Sequence, residues 1–256
     1  MENELGLIRQ KGIGPDTFLG KLLRLPLGLL PGGAVVPVLS GINKGYRWRV
    51  GSNIHGCWLG SYEADKQRLM GKLVKPGMVV YDIGANAGFY TLALARLVGK
   101  EGKVCAFEPL AENTANILEH LRLNDCTNTM LYQVAVSDRQ GLSAFHIAQS
   151  NSMGHLSEGG TYWVPTVALD ALLESGKLPL PDAVKMDVEG AESGVLEGAN
   201  KLLAMRATIW IIALHGDQQR QEVGRILSGH GYRIFRLDGS AVAGDCIDSD
   251  EIYALP

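Results

Sequence analysis

Asp82-Ile83-Gly84-Ala85-Asn86-Ala87-Gly88 closes an apolar run over residues 78–83 and opens a helical pattern over 89–98. A buried strand that passes through a glycine turn into a helix is one unit of an α/β sheet. Gly84 and Gly88 let the backbone turn sharply and approach a ligand with no Cβ in the way. Asn86 is the residue type best suited, after glycine, to a left-handed turn. The glycines do not have the GxGxxG spacing of dinucleotide-binding proteins, and an acid, Asp82, stands just ahead of them. Pyrophosphate at a helix N-terminus favours positive potential, so an acid at this turn suits a cationic ligand better.

The same alternation continues downstream. Strands are predicted at 104–108, 130–136, 183–187 and 208–214, and helices at 112–123, 170–174, 192–203 and 218–228. Shorter alternating pieces between 141 and 166 predict an extra hairpin or lid. Residues 232–237 and 252–255 close the chain as strands joined by a glycine-containing loop without a helix, which predicts an antiparallel C-terminal strand pair. The whole predicts a Rossmann-like α/β fold, a mostly parallel sheet covered by helices, over residues 71–256. Residues 1–70 read as a short N-terminal appendage. It holds an amphipathic stretch at 16–25 with Asp16 as N-cap, and a strand at 45–50 in which Tyr46, Trp48 and Val50 alternate with Arg47 and Arg49. A helix at 63–74 then leads into the turn Lys75-Pro76-Gly77. The aromatics Tyr46, Trp48, Trp58 and Tyr62 either cover the sheet edge or line an acceptor site.

Three further signals sit at predicted strand ends, where ligands of open α/β sheets bind. Glu108 ends the second strand, the place where a ribose diol is held by a carboxylate. Asp187 and Glu189, in Lys185-Met186-Asp187-Val188-Glu189-Gly190, end the fourth. They suit holding an ammonium, orienting an acceptor, acting as base or binding a divalent metal; Glu189 capping the next helix is the structural alternative. His215 follows the fifth strand, and its ordinary pKa near 6.5 suits proton transfer at neutral pH. His155 is a weaker candidate in the irregular stretch 151–157. S-adenosylmethionine, which carries a sulfonium, an ammonium and a ribose, matches the turn and Glu108 together.

Composition is that of a globular chain, 46% hydrophobic and 20% charged over 256 residues. The net charge of −3 argues against nucleic acid as the main partner. Cys57, Cys105, Cys126 and Cys246 are scattered without a CxxC pair, so neither zinc nor a disulfide framework is expected. The apolar stretch 17–39 is interrupted by Lys21, Arg24 and three prolines, so no membrane span is expected. With no basic start and apolar core of a signal peptide, a cytoplasmic protein is expected. A homo-oligomer, for which the 16–25 stretch is one candidate contact, stays open.

Residues 58–237 resemble the FkbM-type methyltransferases in WLGSYE (58–63), KPGMVVYDIGANAGFYTL (75–92), VCAFEPLAEN (104–113), LYQVAVSD (131–138), VKMDVEGAE (184–192) and HGY (230–232). The resemblance implies a methyltransferase fold with S-adenosylmethionine as donor. It further implies Asp82, Gly84, Asn86, Gly88, Glu108 and Pro109 as cofactor residues, with Val136 near the adenine. Such enzymes act on hydroxyls of sugars, glycans or secondary metabolites, so a small-molecule or glycan acceptor is expected. His215, Asp187 and Glu189 become the candidate catalytic residues. Many relatives carry Glu-Ile-His where this chain has Ala213-Leu214-His215, so no role resting on that glutamate transfers. An N-methyltransferase acting on RNA or protein lacks its expected Asn/Asp-Pro-Pro-aromatic clamp here; a catalytically silent cofactor-binding subunit is the other alternative.

Overall fold

In the computed structural model, residues 30–147, 154–156, 160 and 162–256 are described, with backbone alone at 147 and 154–156. The antiparallel pair β1 (Val35–Pro37) and β2 (Arg47–Arg49) leads through α1 (His55–Leu59) and α2 (Ala64–Leu73) into β3 (Val79–Ile83). There follow α3 (Phe89–Val98), β4 (Lys103–Phe107), α4 (Ala111–Leu123), β5 (Thr129–Tyr132), β6 (Ala135–Val136), β7 (Gly141–Ile147), β8 (Gly154–Leu156) and β9 (Tyr162–Val167). The chain continues through α5 (Leu169–Glu174), β10 (Ala183–Met186), α6 (Glu192–Glu197), α7 (Asn200–Ala204), β11 (Ile209–Ala213), α8 (Asp217–Gly229), β12 (Arg233–Arg236) and β13 (Glu251–Leu255).

The main sheet has the order β12-β13-β11-β10-β3-β4-β5. β3 pairs in parallel with β10 on one side and β4 on the other. Chain direction across the sheet therefore reverses at β3, the switch point at which a crevice opens beyond the strand ends. The C-terminal strands do pair antiparallel, but only β13 opposes the sheet. It is inserted between β11 and β12 and runs antiparallel to both, so β12 points the same way as the rest.

Two predicted elements are divided. The strand expected at 130–136 leaves the main sheet after Tyr132, and β6 pairs in parallel with β9 in a second sheet ordered β6-β9-β7-β8. That sheet is the predicted insertion, held by a small core of Leu110, Ala135, Phe145 and Val164. The helix expected at 192–203 breaks between α6 and α7. A Cβ at Gly198 would stand 2.2 Å from the Ser137 carbonyl oxygen, so the β6 end approaches too closely for an uninterrupted side-chain-bearing surface. The stretch 16–25 and the side chain of His155 lie outside the described residues.

β3 and α3 are apolar on most sides because both are enclosed, and their buried polar residues Asp82 and Thr91 bond to each other. One face of α3 meets the sheet and the other meets the N-terminal segment: Trp48, Trp58 and Met70 share one core with Phe89, Leu92 and Leu94. The pattern boundary at residue 70 thus does not separate two cores among the described residues. The tryptophans serve that core, and of the four N-terminal aromatics Tyr62 alone lines the cavities described below.

His120 of α4 fastens this segment to the glycine turn. Its ring stacks on Trp48 with centroids 3.9 Å apart. Nδ1 donates to the Ala87 carbonyl at 2.8 Å, which leaves Nε2 to accept from the Arg49 N–H at 3.1 Å. Burial pushes this imidazole down to about 4. The unfolded chain protonates His120 near pH 6.5 and the folded chain resists to about 4, so stability is lost as pH falls through that window. The loss from this one group is on the order of 3 kcal/mol. Urea titrations from pH 7 to pH 4 are expected to show it, and a His120→Gln variant is expected to lose less stability over the same range.

Candidate active site

The turn between β3 and α3 is built against its neighbours. The N–H groups of Gly84 and Ala85 both donate to the Phe107 carbonyl at 3.0 Å. Gly84 has φ +73°, and a Cβ there would stand 1.8 Å from the Asp187 carbonyl oxygen, so only glycine fits. Gly88, φ +89°, begins α3 against Ile117. Asn86 adopts the left-handed conformation predicted for it, φ +50°. Its Oδ1 accepts from the Ala87 N–H at 2.6 Å and from Asn53 Nδ2 at 3.2 Å.

Asp82 is not among the residues that line the cavity above the turn. It is fully buried beneath the turn, accepts from Thr91 Oγ1 at 2.7 Å, and lies 3.1 Å from Lys185 Nζ. The cation that answers this acid is therefore the lysine opposite it in β10. Lys185 also donates to the Gly84 carbonyl at 2.8 Å and so supports the turn from below.

Above the turn lies a cavity of about 260 Å³, lined by Gly84, Asn86, Glu108, Pro109 and Val136 among the predicted residues. Asn53, Tyr62, Asn113, Phe145 and Lys185 also line it and were not singled out as cofactor residues in the sequence. Glu108 is 5% exposed. Its Oε1 accepts from Leu110 N at 3.0 Å and Asn113 Nδ2 at 3.2 Å, and its Oε2 from Asn86 N at 2.8 Å. Burial raises its pKa while these donors oppose the rise. Two lone pairs per carboxylate oxygen leave Oε2 able to accept again. Asn113 stands one turn into the next helix, a position that the VCAFEPLAEN stretch contains but that only the fold turns toward Glu108.

A second recess, about 490 Å³, shares Tyr62, Asp187 and Glu189 with the first and adds Glu63, Lys66, His215 and Glu251. The three predicted catalytic side chains meet at this junction. His215 Nε2 lies 3.8 Å from Asp187 Oδ1 and 3.4 Å from Glu189 Oε2. Glu189 is held at φ +54° after β10. His215 Nδ1 is 2.8 Å from Oε1 of Glu192, a fully buried carboxylate at the start of α6. A carboxylate can only accept, so Nδ1 carries a proton and Nε2 opens onto the recess. The Glu192 hydrogen bond raises the His215 pKa, burial lowers it, and the charges of Glu192, Glu189 and Asp187 add to the rise. Glu192 closes the VKMDVEGAE stretch; nothing in the one-dimensional spacing ties it to a histidine 23 positions later. Ligand atoms of Asp187, Glu189 and His215 lie within 4.8 Å of one another, close enough to surround a divalent cation. Among the described residues no helix is long and apolar enough to cross a membrane.

A single reversed strand near one edge, with a cavity at the β3 switch point, is the architecture of the Rossmann-like methyltransferases. Within that class, the methyltransferase FkbM domain matches residues 82–234, more than half of the chain, and the chain belongs to that family. It is an S-adenosylmethionine-dependent methyltransferase. Among curated proteins it is similar to the hexuronic acid methyltransferase AglP of Haloferax volcanii, 29% identical over 168 residues, covering 65% of this chain and 68% of that protein. It is also similar to the 2-O-methyltransferase NoeI of Sinorhizobium fredii, 30% identical over 176 residues, covering 61% and 70%. The crystal structure of methyltransferase FkbM from Methylobacillus flagellatus superposes with a TM-score of 0.51 at 17% identity. That match covers 70% of this chain and 44% of the longer protein, and shows the fold alone.

Calorimetry with S-adenosylhomocysteine tests the cavity. Glu108→Ala removes charge-assisted acceptance worth about 1.5–3 kcal/mol, so affinity is expected to fall roughly ten- to a hundredfold. Unchanged affinity in a folded variant would place the ribose elsewhere.

Proposed function

We propose that this enzyme methylates a hydroxyl group of a sugar or glycan, with His215 as general base and Asp187 and Glu189 aligning the acceptor. The carrying observation is the Glu192–His215 pair, whose Nε2 opens onto a recess contiguous with the cofactor cavity. The names of two relatives, one acting on a hexuronic acid and one a 2-O-methyltransferase, support a sugar hydroxyl. A recess rich in carboxylates, with one tyrosine on its wall, suits a polyol that donates hydrogen bonds. The four free cysteines, two of them buried, suit the reducing cytoplasm, where we place the enzyme.

When bound, S-adenosylmethionine would supply an electrophilic methyl group on a sulfonium, whose carbon–sulfur bond breaks on transfer so that the sulfur leaves as a neutral thioether. Glu108 holds its ribose hydroxyls in this reading, Pro109 and Val136 line the wall toward the adenine, and Gly84 and Asn86 form the floor, while Gly88 does not line the cavity but starts the helix behind it. Asp82 acts through Lys185 and the turn. A hydroxyl is much less acidic than an imidazolium, so His215 does not ionise the acceptor beforehand; Nε2 takes the proton as the new C–O bond forms. Glu192 keeps Nδ1 protonated and stabilises the imidazolium that results. Most of the acceleration then comes from holding the acceptor oxygen in line with the methyl group.

His215→Ala is expected to lower kcat by about 10²–10⁴ with S-adenosylhomocysteine affinity retained. Near-normal turnover in a folded variant would remove the base. Methylation of a panel of methyl glycosides, read by mass spectrometry, tests the acceptor class. Exhaustive chelation is expected to leave transfer intact, because the Lys66 ammonium already supplies positive charge beside Asp187.

A base must be neutral to act, so kcat/KM is expected to rise with pH through a value above the ordinary 6.5 of histidine. Stability follows the opposite sign. The folded pKa is raised, so the contribution of protonated His215 to folding is complete below pH 6.5 and is lost as pH rises through the folded value. Comparing rate and denaturation profiles for the wild type and His215→Gln checks both limbs.

A further inference from the structure

Lys66 belongs to α2, in the N-terminal part of the chain that carries no cofactor signal, and its side chain is 3% exposed. A lysine buried this far survives as a cation only when paired. Its ammonium stands 2.7 Å from Glu63 Oε2, 3.9 Å from Asp187 Oδ2, and against Glu251 Oε1. The Tyr90 ring lies beside it, with Nζ 5.6 Å from the centroid. Burial alone would lower the lysine pKa, but Asp187, Glu63 and Glu251 more than offset this and hold it up.

The three acids come from separate parts of the fold. Glu63 precedes α2 and also accepts from Tyr90 Oη at 2.7 Å. Glu251 opens β13, opposite Ala213. Asp187 follows β10, and it alone among the three is recorded in contact with His215. Its two oxygens are divided, Oδ2 toward Lys66 and Oδ1 toward His215 Nε2.

We infer that Lys66 is a positioning residue for methyl transfer: its ammonium holds Oδ2 of Asp187, which keeps Oδ1 directed at His215 and the acceptor recess. The assignment rests on Asp187 and His215 forming the acceptor side of the site. It gives the WLGSYE stretch and α2 a part in the chemistry, since Tyr62, Glu63 and Lys66 form one wall of the recess. The competing explanation is an ion-pair cluster that merely docks α2 onto β13.

Turnover and binding of the full chain separate the two. Lys66→Met is expected to lower kcat roughly ten- to a hundredfold through a misplaced Asp187, with S-adenosylhomocysteine affinity unchanged. Lys66→Arg should restore most of the loss. The decisive measurement is the double variant Lys66→Met/Asp187→Asn. If Lys66 acts through Asp187, kcat of the double variant equals that of Asp187→Asn alone, whereas independent effects multiply. Multiplying effects, or a folded Lys66→Met with kcat within twofold of wild type, would each overturn the assignment. Should Lys66→Met fail to fold, Lys66→Met/Glu251→Gln keeps the charge balance and is measured instead, and failure of both to fold makes Lys66 structural. A loss in His215→Ala beside normal turnover in Lys66→Met sinks this inference alone, whereas normal turnover in both sinks the proton-transfer reading with it.

Discussion

The site depends on one buried ion pair. Asp82 and Lys185 stand opposite each other in β3 and β10, with oxygen and nitrogen 3.1 Å apart and both side chains almost wholly enclosed. Two charges taken out of water need each other; removing one partner of such a pair typically costs about 3–5 kcal/mol. The pair does more than stabilise, because Lys185 also donates to the Gly84 carbonyl. It therefore ties the floor of the cofactor cavity to the strand that ends in Asp187. The Asp187 carbonyl in turn occupies the space that a Cβ at Gly84 would need. The glycine turn and the loop after β10 are thus held against each other.

From this shared floor the two halves of the site diverge in chemistry. The side proposed for the cofactor is a cavity lined by amides, backbone N–H groups, Lys185 and the buried carboxylate of Glu108, with Asp187 and Glu189 at its border with the second recess. The acceptor side is rich in carboxylates, with Lys66 and His215 among them. Such a division suits a reaction in which a cation is delivered from one side and a proton is removed on the other. Tyr62, Asp187 and Glu189 line both spaces and mark the plane between them.

The N-terminal segment joins this arrangement from outside the sheet. Its tryptophans enclose α3, its Arg49 backbone meets His120, and its Asn53 reaches Asn86 in the turn. A region without a cofactor motif thus braces the glycine turn and supplies one wall of the recess proposed for the acceptor. The physical reason is geometric: the second face of α3 is apolar and must be covered, and whatever covers it stands beside the turn at the head of that helix.

Much of this was legible in one dimension. The period of the hydrophobic pattern gave the strands and helices of the main sheet, and the glycine turn with Glu108 and Pro109 marked the cavity that the fold encloses. Asp187, Glu189 and His215 were found by strand-end position, and they do converge. Local rules reach that far because a strand end, a tight turn and a helix start are decided by neighbours along the chain. Pairings across the chain were out of their reach. That Asp82 pairs with Lys185, and that Trp48 serves a core and not a surface, is set by the packed sheet. Glu192 behind His215, Lys66 against Asp187 and the insertion of β13 between β11 and β12 all join residues far apart in sequence. Charge and hydrogen-bond partners are chosen by distance in space, and only the packed sheet sets that distance.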